Sequence, residues 1–354
     1  MATITLTPSF SLIPDGFLLY GLAGIDEEYQ IYALQPDETS RFVSKGQMLS
    51  GQAYSPDGTM LIVDTNDWSS PPLSPDKVFI LNLETGETLP LNLLAHPRSG
   101  VFWSADGNSL LYIDKYSEDA VNKLIMYDIA SGENKTLVEL ENILLTSGWA
   151  VDGETIAYVA EVDGQYDLFT INSHTLEWQQ LSNDPEIETL VLWSPAAPQL
   201  LVGNVLDERS AFEGWPWGVE SLYLVDSDSN NWEWLTDKFL TSVSLAWSPD
   251  GKQIAFSDAG LLCIKNLETM AETCPLADVA PYNDYFASFW EPPVWSPDGT
   301  WLAFLAYNEV CDVLHFLELE TNTVVPGDLG CDTVIWSPLA PIYWLPGNLS
   351  GLQP

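Results

Sequence analysis

Residues 295–304 read WSPDGTWLAF, a tight turn followed directly by an apolar segment. In such a turn proline presets φ, aspartate accepts hydrogen bonds from nearby backbone amides, and glycine supplies a positive φ. The apolar run after the turn is short and nearly continuous, which indicates a strand buried on both faces. The segment therefore predicts a unit made of a strand, an Asp-Gly turn and a second, buried strand.

The same motif recurs along the whole chain. Clear copies are YSPDG at Tyr54–Gly58, WSADG at Trp103–Gly107, WAVDG at Trp149–Gly153, and WSPDG at Trp247–Gly251 and Trp295–Gly299. Weaker copies are LIPDG at Leu12–Gly16, WSPAA at Trp193–Ala197 and WSPLA at Trp336–Ala340. Successive first positions lie 41 to 54 residues apart, a period that fits four short strands and their turns.

The segments between motifs read as strands. Buried strands, called B here, follow the turns at Thr59–Val63, Ser109–Ile113, Thr155–Val159, Gln253–Ser257 and Thr300–Phe304. More alternating strands, called C, follow at Lys77–Leu83, Lys123–Ile129, Tyr166–Ile171 and Ser221–Val225. Strand A precedes each turn and a short strand D ends each repeat. No long amphipathic helix is evident, so the fold class is all-β.

These copies resemble the W-S-P-D-G repeat of TolB-type β-propellers. The resemblance implies a single β-propeller domain over residues 1–354, built from four-stranded antiparallel blades. Seven blades are favoured, with Thr333–Trp336 closing the ring as strand A of the first blade. Thr3–Leu6 or Pro341–Pro354 is then left over as an edge strand. The alternative is an eighth, incomplete blade built from both chain ends.

Charge narrows the range of partners. Asp and Glu number 51 and Lys and Arg 11, for a formal net charge of −40. Such a surface repels phosphate backbones and anionic lipids, which excludes nucleic acid as a partner. No apolar run is long enough to span a bilayer, so membrane insertion is not expected. A protein or glycan ligand, which can be cationic, is the partner class that fits.

Four cysteines point to an oxidising compartment. Cys263 and Cys274 fall on strands C and D of one hairpin, and Cys311 and Cys331 fall at a B–C turn and the following D–A turn. Disulfides 263–274 and 311–331 meet the distance demands of such bridges. We therefore expect an extracellular or periplasmic protein, although the N-terminal MATITLT has no signal-peptide pattern and a leader is taken as removed.

Three long insertions fall on the face that carries the B–C and D–A loops: residues 64–77, 204–220 and 276–293. Long loops on one side of a rigid scaffold are where binding sites usually lie. Their aromatic side chains suit stacking on a sugar or capture of a protein segment. The candidate ligand-binding residues are Trp68, Phe212, Trp215, Trp217, Tyr282, Tyr285, Phe286 and Trp290.

Acidic residues at the ends of B strands form a second candidate site. A ring of carboxylates can hold Ca²⁺, a hard cation that takes several oxygen ligands. Because no DxDxDG loop is present, a solvated acidic rim is the favoured interpretation and no cofactor is expected. The residues concerned are Asp64, Asp114, Glu161, Asp258 and Glu309.

Catalytic motifs are scarce. No GxSxG elbow occurs, and the histidines, His96, His174 and His315, are scattered along the sequence. The sequence therefore predicts a non-enzymatic recognition scaffold with no catalytic residues. One alternative is a structural subunit that self-assembles into oligomers or filaments by strand addition through Thr3–Leu6 or Tyr343–Leu345. The other is a glycan-active enzyme that uses channel carboxylates.

Overall fold

The computed structural model describes fifteen segments of the chain. They are residues 17–23, 29–34, 40–48, 51–64, 78–91, 100–114, 121–205, 218–236, 240–241, 245–258, 261–277, 286–287, 292–307, 312–326 and 343–345.

All regular structure in these segments is β-strand. In chain order the strands are β1 Phe17–Ala23, β2 Tyr29–Leu34, β3 Ser40–Lys45, β4 Gln47–Met48, β5 Gly51–Gln52, β6 Met60–Asp64, β7 Val78–Asn82, β8 Thr88–Leu91, β9 Val101–Trp103, β10 Ser109–Asp114, β11 Asn122–Asp128, β12 Asn134–Leu140, β13 Ile143–Trp149, β14 Thr155–Val162, β15 Gln165–Asn172, β16 Trp178–Gln180, β17 Ile187–Trp193, β18 Gln199–Val205, β19 Gly218–Val219, β20 Ser221–Asp226, β21 Asn231–Thr236, β22 Leu240–Thr241, β23 Leu245–Trp247, β24 Gln253–Asp258, β25 Leu261–Asn266, β26 Glu272–Thr273, β27 Phe286–Ala287, β28 Val294–Trp295, β29 Trp301–Tyr307, β30 Asp312–Glu318, β31 Thr323–Pro326 and β32 Tyr343–Leu345.

The strands build the seven blades of a β-propeller. The blades, in chain order, have strand orders β32-β1-β2-β3, β4-β6-β7-β8, β9-β10-β11-β12, β13-β14-β15-β16, β17-β18-β20-β21, β23-β24-β25-β26 and β28-β29-β30-β31. Strand β27 also pairs with β29, and β5 adds to β9 in parallel. Two compact units contain them: residues 1–45 with 240–354 hold the first, sixth and seventh blades, and residues 46–239 hold the other four.

The predicted fold class and seven-blade count are confirmed. Every predicted B and C strand is present with ends that differ by at most three residues. The prediction succeeds because each B strand is buried on both faces. In β10, for example, five consecutive residues after Ser109 are buried.

The strand that completes the first blade differs from the predicted one. Strand β32, Tyr343–Leu345, pairs with β1 through Phe17↔Leu345 and Leu19↔Tyr343. The sequence assigned this role to Thr333–Trp336, which lies outside the described residues, and left either Thr3–Leu6 or Pro341–Pro354 as an extra edge strand. The physical reason is Trp344, which is buried and packs edge-on against Phe316.

Four of the described motif turns are each held by one serine and one aspartate. In the third blade the Ser104 hydroxyl donates to Asp106 Oδ1 at 2.6 Å and accepts from the Ser109 amide at 2.9 Å. Gly107 takes φ 71° and donates its amide to the Ser104 carbonyl. The same arrangement recurs at Ser55, Ser248 and Ser296. The motif is thus a structural device that joins strands A and B.

The motif tryptophans join consecutive blades. The Trp103 indole donates to the Ala53 carbonyl, Trp193 to the Gly148 carbonyl and Trp295 to the Ala246 carbonyl, each at 3.2 Å. Each acceptor lies in or beside the innermost strand of the preceding blade. The repeat therefore encodes both its own turn and its contact with the repeat before it.

The sixth blade contains a disulfide between Cys263, on β25, and Cys274, just after β26. This confirms the first predicted bridge. Cys311 and Cys331 lie outside the described residues, so the second bridge stays a prediction. No helix in the described part of the chain has the length and apolarity needed to cross a bilayer.

Candidate functional site

The predicted aromatic site falls on loops that the structure does not describe. Strand β27 begins at Phe286, whose backbone is described while its side chain is not. The other aromatic residues lie outside the described segments: Trp68, Phe212, Trp215, Trp217, Tyr282, Tyr285 and Trp290. Their role in ligand binding stays a prediction.

The predicted acidic residues end the B strands as expected. Asp64, Asp114 and Asp258 are the last residues of β6, β10 and β24, and Glu309 lies outside the described residues. Asp114 is buried and Asp258 is half-buried. Within the described segments, one group of three His, Cys, Asp or Glu residues has its possible ligand atoms within 4.8 Å of one another, and it consists of Cys263, Glu272 and Cys274. Its two cysteines form the disulfide.

The Glu161 carboxylate is oriented by a hydrogen bond. It lies near the end of β14, and its carboxylate accepts a hydrogen bond from the Asn142 side-chain amide at 2.5 Å. The Glu161 backbone amide donates in return to the Asn142 carbonyl at 3.0 Å. Two bonds between the same residues fix the position of the carboxylate beside the start of β13.

A further acidic cluster lies where the fourth and fifth blades meet. It contains Asp167 on β15, Asp184 and Glu186 in the linker between β16 and β17, and Glu188 on β17. By the alternation of an antiparallel blade, this linker lies on the same face as the turn between β14 and β15. The cluster therefore belongs to the B–C and D–A loop face.

Glu188 is the unusual member of the cluster. Its side chain is fully buried, and neither carboxylate oxygen has a regular hydrogen-bond partner. Burial raises its pKa to about 8, and the nearby Ser182 hydroxyl lowers it only in part. The negative charges of Asp184 and Asp167 raise it further. The carboxyl is therefore mainly protonated at neutral pH.

A hydrogen-bond network surrounds Glu188. Asp167 is buried and accepts from the Gln165 and Gln180 amides at 3.0 and 2.9 Å. Burial nevertheless raises the pKa of the Asp167 carboxyl above its usual range. Gln165 also donates to the Asp184 carbonyl, which ties the linker to β15. The network fixes the linker over the buried carboxyl.

Sequence reasoning missed this cluster, although a signal was present. Glu188 interrupts the apolar strand Ile187–Trp193, and Asn204 interrupts the apolar strand Gln199–Val205. A polar residue inside a run of buried apolar residues is more informative than an exposed apolar one. The cross-strand register that brings Glu188 and Asn204 together cannot be read from either strand alone.

Structural comparison assigns the fold type. TolB from Acinetobacter baumannii matches with a TM-score of 0.50 at 14% identity, covering 97% of this chain and 68% of that one. The fold is that of a TolB-type propeller. The disulfide and this likeness are compatible with an extracellular or periplasmic location. No protein-family model matches the chain.

Other relatives of this TolB-type propeller carry enzyme names. Oligogalacturonate lyase from Vibrio parahaemolyticus matches with a TM-score of 0.61 at 13% identity, covering 90% of this chain and 92% of that one. Puromycin hydrolase matches with a TM-score of 0.60 at 13% identity, covering 93% of this chain and 56% of that one. At these identities the likeness shows the fold.

A sequence comparison also finds an enzyme name. The uncharacterized peptidase YuxL of Bacillus subtilis is 22% identical over 212 residues, 58% of this chain. The chain spans 28% of the length of that relative. Taken with the lyase and the hydrolase, this match contradicts the predicted non-enzymatic scaffold. That prediction, and the expectation that the protein is not an enzyme, are wrong.

Proposed function

We propose that the protein is a glycan-active enzyme that works through carboxyl groups on its B–C and D–A loop face. One observation carries the proposal: the structural match to an oligogalacturonate lyase covers 90% of this chain and 92% of the lyase chain. The whole propeller, rather than one domain of a larger enzyme, is thus what the two proteins share. At 13% identity the catalytic residues of that lyase are not transferred to this chain, so the candidate catalytic residues are taken from its own structure.

Glycosidic bond cleavage needs two carboxyl groups, one to donate a proton and one to activate water or attack the sugar. Asp114 is the last residue of the B strand of the third blade and Glu161 is the last but one of the B strand of the fourth blade, so both lie on the same loop face. Glu161 is oriented by Asn142, as a catalytic carboxylate must be. We assign this pair as the first candidates for the reaction.

The charge of the chain selects the substrate class. A protein with a net charge of −40 repels a polyanionic saccharide and attracts a basic one. We therefore propose a neutral or amino-sugar glycan and hydrolysis, rather than an oligouronate and elimination. Location outside the cytoplasm is part of this proposal, because polymeric glycans are met there and the Cys263–Cys274 bridge persists there.

The test is turnover. The purified protein is incubated with neutral, amino-sugar and uronate oligosaccharides, and new reducing ends are quantified. We expect cleavage of a neutral or amino-sugar substrate, with kcat lowered about 100-fold or more in Asp114→Asn or Glu161→Gln. Glu139→Gln, an exposed acid on β12, is the matched control and keeps full activity. Absence of turnover on every substrate contradicts the proposal, and unsaturated uronate products contradict the substrate class.

A propeller that serves a peptidase is the second candidate. The match to the peptidase YuxL and the likeness to puromycin hydrolase favour it. The clear test is hydrolysis of aminoacyl and dipeptidyl chromogenic substrates, together with labelling by a fluorophosphonate probe. Labelling that identifies a serine of this chain would replace the glycan proposal, while its absence alongside glycan turnover would exclude the peptidase.

A further inference from the structure

Glu188 and Asn204 lie directly opposite each other on β17 and β18. Their side chains are 0% and 3% exposed. Side chains at directly opposed positions of an antiparallel pair are neighbours on one face of the sheet, with Cβ atoms about 5 Å apart. A carboxyl and an amide are thus enclosed together inside the protein.

Three oxygen atoms at this place lack partners. They are both carboxylate oxygens of Glu188 and the Asn204 side-chain oxygen. The Asn204 amide cannot be turned around to supply a donor, because its nitrogen already donates to Glu186 Oε2 at 2.8 Å. Buried polar groups are normally hydrogen-bonded, and leaving one unsatisfied costs about 1–3 kcal/mol. The proton that the neutral Glu188 carboxyl holds can satisfy one of these acceptors, and a cation that displaces this proton can coordinate all three.

The surroundings add negative charge. Asp167 and Asp184 both act on the Glu188 carboxyl through their charges, and no basic side chain of the described residues is among its influences. Three described lysines form ion pairs elsewhere, Lys123 with Glu139, Lys252 with Glu268 and Lys265 with Glu272. The cluster is therefore uncompensated by the described part of the protein.

We propose that Glu188 and Asn204, with Asp184 from the linker above them, form a binding site for a hard divalent cation of the Ca²⁺ type. The donor atoms are all oxygen, which Ca²⁺ prefers, and Glu188 can supply two of them. Ca²⁺ tolerates irregular ligand positions, whereas Mg²⁺ demands near-octahedral geometry. This site is distinct from the B-strand ends considered from the sequence and does not depend on the proposed enzyme activity.

The linker explains how an ion would reach the site. Asn183, Asp184 and Pro185 are exposed, so only a short surface segment separates Glu188 from solvent. On the other side, Ile187 and Val205 pack with Tyr166 and Leu144 and provide an apolar wall. A small ion can pass where a saccharide cannot. Tyr166 packs beside Ile187 and Val205, which are next to Glu188 and Asn204 along β17 and β18.

Titration calorimetry on chelator-treated full-length protein tests the site, with Ca²⁺ and Mg²⁺ as ligands. We expect one saturable Ca²⁺ site, with Mg²⁺ weaker by about tenfold or more. Glu188→Gln, of the same size and uncharged, should weaken Ca²⁺ by about tenfold or more. Glu233→Gln, which removes the same charge from an exposed position on β21, should leave the affinity unchanged.

A second measurement keeps the test independent of folding. Tb³⁺ bound at the site should luminesce on excitation of Tyr166, and Tyr166→Leu should remove most of that signal without removing Ca²⁺ binding. If Glu188→Gln does not fold, Asp184→Asn, at an exposed position, replaces it and should also weaken Ca²⁺. The proposal is overturned if the wild-type protein shows no saturable Ca²⁺ binding, or if neither acidic variant changes it.

Discussion

Burial raises the pKa of the Glu188 carboxyl from 4.5 to about 8. Between these values the unfolded chain has released this proton and the folded protein still holds it, so the free energy of unfolding falls as pH rises through this window. At 1.36 kcal/mol per pKa unit, the full effect is about 5 kcal/mol. Asp167 and Asp184, which face the same carboxyl, act in the same direction.

Glu188→Gln removes this titration. In chelator, the free energy of unfolding of the variant relative to wild type should rise by about 3–4 kcal/mol between about pH 5 and about pH 8. Urea unfolding at both pH values measures it, with Glu233→Gln as the exposed control. A stability difference that is the same at both pH values would show that the carboxyl is not neutral in the folded protein.

At the same scale, sequence reasoning predicted some residues and missed others. The roles of the motif serines, aspartates and glycines could be predicted because their contacts are with residues close by in the sequence, as in the Ser104–Asp106 hydrogen bond. The pairing of Cys263 with Cys274 was readable because it closes one hairpin. Glu188 and Asn204 meet only through the register of two strands separated by a turn, which residue types do not encode.

Among the structural elements, strand β13 packs tightly against strand β9 of the preceding blade at Gly148. Gly148 takes φ 75°, and a Cβ at this position would lie 2.8 Å from Cδ1 of Phe102, on β9. Gly164, in the turn between β14 and β15, takes a similar φ of 83° but has nothing within 4 Å of such a Cβ. The two glycines share the backbone constraint and differ in packing.

Alanine at each glycine separates these two effects. Gly164→Ala should cost about 1–2 kcal/mol from the left-handed backbone alone. Gly148→Ala should cost about 1–3 kcal/mol more, because Phe102 must move. Equilibrium urea unfolding of both variants gives the difference. Equal losses would mean that the contact between β9 and β13 adjusts without cost.

The B and C strands that accompany the turn motifs were predictable, whereas the pairing of β32 with β1 was not. B strands are marked by a turn motif before them and by continuous apolar residues, so β6, β10, β14, β24 and β29 could be located from the sequence alone. Strand β32 has three residues and no motif directly before it. Its assignment depends on Trp344 packing with Leu18, Leu34 and Phe316, which are remote in sequence.

For the molecule as a whole, Trp344 is the side chain whose packing holds strand β32 in the first blade. It is 7% exposed and packs among residues of the first and seventh blades. Trp344→Ala should cost about 3–5 kcal/mol, as expected for a buried tryptophan, and lower the Tm. Trp234→Ala, at a 53% exposed position on β21, should change stability by less than about 0.5 kcal/mol. Similar melting of both variants would show that β32 does not hold the first blade.

The pairing of β1 with β32 also has a consequence for the order of events during synthesis. Strands β1 to β3 leave the ribosome before the other blades, yet their innermost partner, β32, follows roughly 300 residues later. At about 5–20 residues per second, the open edge of β1 waits some 15–60 s for its partner. Of the seven blades, the one that is begun first is thus finished last, and a nascent chain interrupted before residue 343 presents the edge of β1 to chaperones and proteases.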